Sequence, residues 1–210
     1  MVDLLGAHMS IGGGLDRALE HGVVNDCNVV QIFTSSNMAW HTREPGKREV
    51  EQFKEAWEST GIRMVVAHGS YLVNLCSTNV ATVKRSVKAL TSELRRCEGL
   101  GLETLVIHPG AHTGRGVSAG LKAVAEGIDE AMARAETEGM RILLETTAGS
   151  GTALGGRFEE LAEVIGMSRY GDRLGVCLDT AHAFAAGYDL RTAESYHSMM
   201  EELERAVGAG

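Results

Sequence analysis

Short apolar segments of strand length recur along the chain and alternate with longer amphipathic patterns. These segments are rich in aliphatic and β-branched residues, as is typical of strands that are buried on both faces. Six are predicted to be strands: Leu4–Gly6, Val29–Phe33, Met64–Ala67, Thr104–Ile107, Ile142–Leu144 and Leu174–Leu178.

The stretches between these segments have helical periodicity, for example Val50, Phe53 and Trp57. Strand and helix therefore alternate, which predicts parallel strands joined by right-handed crossovers. Either an open doubly wound sheet or part of a (β/α)8 barrel satisfies this pattern. The glycine run at 12–14 matches neither GxGxxG nor GxxxxGK[ST], so we interpret it as a βα loop and not as a nucleotide site.

Composition favours one globular domain spanning residues 1–210. The chain is 44% hydrophobic and 23% charged, with two prolines and no Ser/Pro-rich linker. A net charge of -8 argues against binding DNA through charge alone. Four cysteines without a CxxC pair, no leader pattern and no apolar run of about 18 residues predict a soluble cytoplasmic protein with reduced thiols.

Side chains that bind metals follow four consecutive predicted strands. Because parallel strands present their carboxyl ends at one rim, we expect these side chains to converge there. They are His68, His108, Glu145, Asp179 and His182. Imidazole and carboxylate together suit zinc, and manganese or iron less well. His8 and His112 lie near the same rim and are assigned supporting positions around such a site.

Several longer segments resemble the endonuclease IV family, the zinc-dependent apurinic/apyrimidinic endonucleases of base-excision repair. The resemblance spans almost the whole chain and rests on GAHMS at 6–10, HGSYLVNL at 68–75, RCEGLGL at 96–102, HPGAH at 108–112, LETTAG at 144–149 and GVCLDTAHAFAAGYD at 175–189. The last of these is long and specific.

The resemblance implies a TIM-barrel hydrolase with three zinc ions that cuts the phosphodiester on the 5′ side of an abasic site in double-stranded DNA. The products are a 3′-hydroxyl and a 5′-deoxyribose phosphate, and zinc-activated hydroxide is the nucleophile. By the same resemblance, His68 and His108 hold one zinc, which Glu145 bridges to a second. Asp179 binds the second zinc and His182 the third. No nucleotide cofactor and no membrane partner are expected.

DNA recognition is also carried over from the resemblance. Tyr71 and Leu72 match positions that enter the minor groove at the lesion, and Asn37 and Met38 lie in the loop after the second strand. The family commonly has arginine where Met38 stands, and methionine cannot hydrogen-bond to the gap that a flipped nucleotide leaves.

The chain has about six of the eight βα units of the family. Only the first zinc site has its full protein ligand set; the second keeps Glu145 and Asp179, and the third keeps His182 alone. Six units cannot close a barrel, so the first and sixth strands are expected to expose edges and apolar inner faces. We therefore expect an incomplete sequence of an enzyme that is monomeric when whole, with self-association of the shorter chain.

Two other functions stay open. A metal-dependent sugar isomerase or epimerase of the related barrel superfamily would also place His, Glu and Asp at strand ends, but it would use one metal and lack the DNA wedge loop. An inactive remnant that binds zinc or damaged DNA without turnover is the second. Counting bound zinc ions distinguishes these alternatives.

Overall fold

The described residues, 3–40 and 43–208 of a computed structural model, form one parallel sheet covered by helices. Its order is β1-β2-β3-β4-β5-β6, so every strand pairs with its neighbour in sequence. The strands are β1 (Gly6–Met9), β2 (Val29–Phe33), β3 (Met64–His68), β4 (Thr104–Ile107), β5 (Arg141–Glu145) and β6 (Leu174–Cys177).

Helices connect the strands and lie on the outer side of the sheet. Since every pairing is parallel, each connection is a crossover. The helices are α1 (Leu15–Val24), α2 (Lys47–Thr60), α3 (Val80–Leu100), α4 (Val117–Ala135), α5 (Phe158–Met167), α6 (Thr180–Ala185) and α7 (Ala193–Val207). A 3₁₀ turn at Gly171–Arg173 precedes β6.

Local sequence signals set the helix ends. The Asn79 side chain accepts hydrogen bonds from the backbone N–H groups of Ala81 and Thr82, which caps α3 at its start. Glycine caps the carboxyl ends of α3 and α2: Gly101 directly follows α3 with a φ of 82°, and Gly61 directly follows α2 with a φ of 71°. Glycine adopts this left-handed geometry without the steric penalty of a Cβ.

The main core lies between the outer face of the sheet and helices α1 to α5. Leu90 and Leu94 of α3 are almost completely buried there, as are Leu105 of β4 and Ile128 of α4. A second, smaller core joins α5, α6 and α7 through Phe158, Ala183 and Met199. These cores fix the helices against the strands, so the strand ends are held in position.

The prediction of an α/β fold of the TIM-barrel type with about six βα units is confirmed, and the predicted bounds of β2 to β6 agree with the structure to within one residue at each end. The first strand does not cover Leu4 and Leu5, which are 51% and 72% exposed; it begins at Gly6, where a Cβ would clash with the carbonyl oxygen of Val29. Nor are all strands buried on both faces. Gly6, Ala7 and His8 are exposed because β1 has one strand neighbour among the described residues.

The inner face of the sheet is open within the described residues, as the predicted number of units requires. Apolar side chains of β2 to β5, including Val66, Val106 and Leu143, line an open cavity of about 450 Å³ on this face. None of the described helices has the length and apolar character needed to cross a membrane.

Candidate metal centre

Five side chains of metal-binding type converge at the carboxyl ends of β3 to β6. His68 and Glu145 are the last residues of β3 and β5, and His108 follows β4 directly. Asp179 follows β6 as the N-cap of α6, and His182 lies in the first turn of that helix. The convergence expected from the strand-end pattern is therefore present in the structure.

The first group consists of His68, His108 and Glu145. The Nε2 atom of His68 lies 3.0 Å from Oε2 of Glu145, and Nε2 of His108 lies 3.4 Å from Oε1 of the same carboxylate. The ligand atoms of all three residues lie within 4.8 Å of one another. His68 and Glu145 are buried and His108 is half-buried, so solvent competes weakly for this place.

The hydrogen bond from His68 to the backbone leaves its other ring nitrogen suited to a cation. Its Nδ1 lies 2.7 Å from the carbonyl oxygen of Gly69, and a carbonyl can only accept, so Nδ1 carries the proton. In the neutral imidazole, Nε2 then presents a lone pair to the Glu145 carboxylate. Two lone pairs at this distance repel unless a proton or a metal ion lies between them, so the donor set fits a metal.

The second group shares Glu145 and adds Asp179 and His182. The Nδ1 atom of His182 lies 3.2 Å from Oε1 of Glu145 and 3.7 Å from Oδ2 of Asp179. This Nδ1 is buried and makes no hydrogen bond within the part of the chain described. The backbone N–H of His182 donates to Oδ1 of Asp179 at 2.8 Å, which leaves Oδ2 directed toward the imidazole. A buried nitrogen without a hydrogen bond is costly alone and well suited to a cation.

Glu145 is the centre of both groups and is ionised at neutral pH. Burial acts to raise the pKa of this carboxyl, but hydrogen bonds from His108 and His68, and the positive charge that these rings carry when they are protonated, outweigh burial and lower the pKa to about 2. A carboxylate that stays anionic while touching three imidazoles supplies negative charge to a cation in either group.

The cavity above these groups measures about 410 Å³ and includes residues that sequence reasoning missed. Gln31 of β2 and Cys177 of β6 line it beside the five ligand-type residues. Burial, followed by the negative charges of Glu145 and Asp179, raises the pKa of the Cys177 thiol to about 11, so the thiol stays protonated. Alternation along the strand was the available signal, because it directs these residues inward.

Aromatic rings surround the histidines. Tyr71 stacks on His108, with ring centroids 5.6 Å apart and an angle of 21° between the planes. Phe33 meets both His68 and Tyr71 edge-on, with centroids 5.4 Å away in each case. Tyr71 is nevertheless 54% exposed, so its ring both covers the first group and faces solvent.

The remaining predicted site residues lie outside the two ligand groups. His8 is exposed, and its Nδ1 lies 2.9 Å from Oε1 of Gln31. Leu72 is half-buried beside Tyr71, and Met38 is 70% exposed. The structure does not bring His112 into either group: its Nδ1 accepts hydrogen bonds from the backbone N–H groups of residues 114 and 116, and so stabilises its own loop.

Comparison with known proteins assigns this arrangement to one group of relatives. The family model described as xylose isomerase-like TIM barrel matches residues 15–210. A probable endonuclease 4 of Geobacter sulfurreducens is 43% identical over 209 residues, which are 99% of this chain and 70% of the relative. A probable endonuclease 4 of Chloroflexus aurantiacus is 44% identical over 203 residues, covering 97% of this chain and 71% of the relative.

Solved structures give the same grouping. The crystal structure of endonuclease IV from Thermus thermophilus superposes with a TM-score of 0.85 at 36% identity, covering 97% of this chain and 72% of that one. A D-tagatose 3-epimerase-like protein superposes with a TM-score of 0.70 at 21% identity, covering 91% and 71%. At that identity the second likeness shows the shared fold alone.

Proposed function

Because the chain belongs to the endonuclease IV family, within the xylose isomerase-like TIM barrels, we propose that it incises DNA on the 5′ side of abasic sites. The products would be a 3′-hydroxyl and a 5′-deoxyribose phosphate. The observation that carries this proposal is the pair of ligand groups joined by one buried carboxylate, Glu145. A phosphodiester is an anion, and its hydrolysis needs positive charge at the site in a chain of net charge -8.

The proposed metal is zinc, which suits the imidazole and carboxylate donors. His68, His108 and Glu145 would hold the first ion, Glu145 and Asp179 the second, and His182 would serve a third. When bound, zinc neutralises phosphate charge and lowers the pKa of water to about 7. In the protein, the contact of His68 with the Gly69 carbonyl fixes which ring nitrogen is directed at Glu145.

Recognition of the lesion is proposed for the loops that surround the cavity. Tyr71 and Leu72 follow β3, and the Tyr71 ring stacks on His108 of the first ligand group, while Asn37 and Met38 lie in the neighbouring loop after β2. Both exposed side chains, Tyr71 and Met38, are large enough to occupy space that an unstacked nucleotide vacates. Extrusion of an abasic nucleotide costs least, because no base has to be unpaired or unstacked.

The test is incision of a duplex that contains one tetrahydrofuran abasic analogue by the zinc-supplied chain. Glu145→Gln removes the charge that both ligand groups share, so we expect loss of incision and of bound zinc measured by mass spectrometry. Glu163→Gln makes the same chemical change at an exposed position of α5 and serves as the matched control. Incision that persists in Glu145→Gln would refute the proposed role of this carboxylate.

A second arm separates hydrolysis from sugar isomerisation, the other chemistry found on this fold. The same zinc-loaded protein is incubated with a ketohexose, and the products are separated by chromatography. Epimerised sugar together with intact abasic DNA would overturn the endonuclease proposal, whereas incised DNA and unchanged sugar would support it.

A further inference from the structure

A buried arginine of α3 contacts the loop that follows β2. The side chain of Arg96 is 1% exposed. Its Nη1 donates to Oε2 of Glu93 at 3.1 Å, to Oγ1 of Thr34 at 3.3 Å and to Oγ of Ser35 at 3.2 Å. Its Nη2 lies 3.6 Å from Oε1 of Glu44. Within the part of the chain that the structure describes, one guanidinium therefore contacts at least four side chains, one from α3 and three from the loop.

These contacts join the two ends of the loop between β2 and α2, whose described residues are 34–40 and 43–46. Thr34 and Ser35 begin the loop and Glu44 lies near its end. The Thr34 hydroxyl also donates to Oε1 of Glu93, so the start of the loop is bonded to both members of the buried ion pair. A planar guanidinium suits this task because its donors point in several fixed directions.

Stability alone is a weak reason to bury this pair. Desolvation of two charges offsets much of their attraction, and replacing a buried ion pair with apolar side chains is often neutral or stabilising. Burial raises the pKa of the Glu93 carboxyl, although Thr34 and Arg96 act in the opposite direction. Unlike apolar side chains, the Arg96–Glu93 pair makes directional hydrogen bonds to one particular loop.

The anchored loop is connected to the metal-binding side chains by two further contacts. Phe33, immediately before Thr34, packs with its ring centroid 5.4 Å from those of His68 and Tyr71. Farther along, the hydroxyl of Ser70 donates to the backbone carbonyl of Asn37 at 2.7 Å. The loop is thus held at its start by α3 and at its tip by the loop after β3.

We propose that Arg96 is a positioning residue for DNA: through Thr34 and Ser35 it holds the β2–α2 loop so that Asn37 and Met38 face the lesion. This inference rests on the proposed function, since it assigns a role to a loop of that same site. Arg96 lies beneath the loop and touches no reacting atom, so its removal should weaken binding more than it slows hydrolysis.

The perturbations are Arg96→Met and the milder Thr34→Val. Valine has the shape of threonine and removes only the hydroxyl that joins the loop to Glu93 and Arg96, so the buried pair itself survives. Thr34→Ser keeps that hydroxyl and should restore the wild-type behaviour. Arg95→Met is the matched control, because Arg95 is on the same helix but donates to the backbone carbonyls of Arg134 and Ala135 at the end of α4.

The kinetic measurement is a split of KM from kcat on the abasic duplex. If the loop is correctly placed only about a tenth of the time, KM rises about tenfold while kcat stays within about twofold. Thr34→Val should shift KM in the same direction, and Arg95→Met and Thr34→Ser should not shift it. A fall in kcat at unchanged KM, or no change in either variant, would overturn the proposal.

The second measurement reports the loop without DNA. Trp40 lines a small cavity with Ser92 and Glu93 of α3, so its fluorescence senses how the loop packs on that helix. In a Trp57→Phe background, acrylamide quenching of Trp40 should increase in Thr34→Val and stay constant in Arg95→Met. Equal quenching in all variants would refute the anchoring role. A wild-type chain that leaves abasic DNA intact would instead refute the proposed function, and quenching would still decide whether Arg96 holds the loop.

Discussion

Met38→Arg tests whether the β2–α2 loop contacts the DNA backbone at the lesion. Met38 is 70% exposed at the carboxyl-end rim of the sheet, and an uncharged side chain contributes no attraction to phosphate there. An arginine at this place can add one charge-assisted hydrogen bond, which we expect to tighten binding about fivefold near 0.1 M salt. Displacing one counterion also steepens the dependence of log affinity on log salt by about 0.9.

The salt dependence makes the prediction specific. Between about 50 and 200 mM salt, the advantage of Met38→Arg over wild type should shrink about 3.5-fold, which is the fourfold salt ratio raised to the power 0.9. Fluorescence anisotropy with an uncleavable abasic duplex at four salt concentrations measures both quantities. Val24→Arg is the control, because Val24 is 80% exposed at the opposite end of the βα unit, where α1 ends.

Two results would refute the reasoning. If Met38→Arg binds no tighter than wild type at any salt, the loop does not contact the phosphates. If Val24→Arg gives the same gain and the same slope, the effect belongs to net charge and not to the position of the loop.

Three further predictions concern the stability and reactivity of the chain. A hydrogen bond from Arg43, then the backbone N–H of Gly46, and last the charge of Arg43 lower the pKa of Glu49 from 4.5 to about 2. The contribution of this carboxylate to stability is therefore present above pH 4.5 and lost as the pH falls toward 2, so the difference in melting temperature between wild type and Glu49→Gln should close over that range; a constant difference would contradict the prediction. Asp129 is 8% exposed and accepts hydrogen bonds from Ser168 and Arg169, which follow α5. Asp129→Ala should therefore lower the free energy of unfolding, measured by urea titration, by about 2 kcal/mol, and a loss of less than about 0.5 kcal/mol would contradict this prediction. Burial raises the pKa of Cys76 and Cys177 to about 11, so at pH 8 only about a thousandth of each thiol is thiolate. Alkylation followed by mass spectrometry should therefore show slow modification of both cysteines. Rapid labelling of either one would show that its site opens.

The fold was predictable where the pattern of the chain is locally unambiguous. The strands at Val29–Phe33 and Thr104–Ile107 have the predicted bounds because each apolar run is followed by a change of residue type. The first strand was shifted because Leu4 and Leu5 are apolar yet exposed, while pairing with Val29 sets the register at Gly6. Register depends on the partner strand, which a local pattern does not contain.

The part of the candidate site that could be predicted is the part that follows from strand topology alone. Ligand-type residues at consecutive strand ends had to meet at one rim, and the structure places Glu145 between three imidazoles. Gln31 was missed because a polar residue within an apolar strand was not assigned a direction. Arg96 was missed because it looks like one more polar position of α3, and its contacts with the loop come from residues about 60 positions away in the sequence.

The sequential strand order also determines when the two ligand groups can form as the protein folds. Each strand pairs with the next one along the chain, so βα units can assemble in the order of synthesis, without waiting for distant segments. His68, His108 and Glu145 come from three consecutive units, and all three must have packed before their ligand atoms lie together. An ion bound by this group therefore stabilises those three folded units and adds its binding free energy to the middle of the sheet.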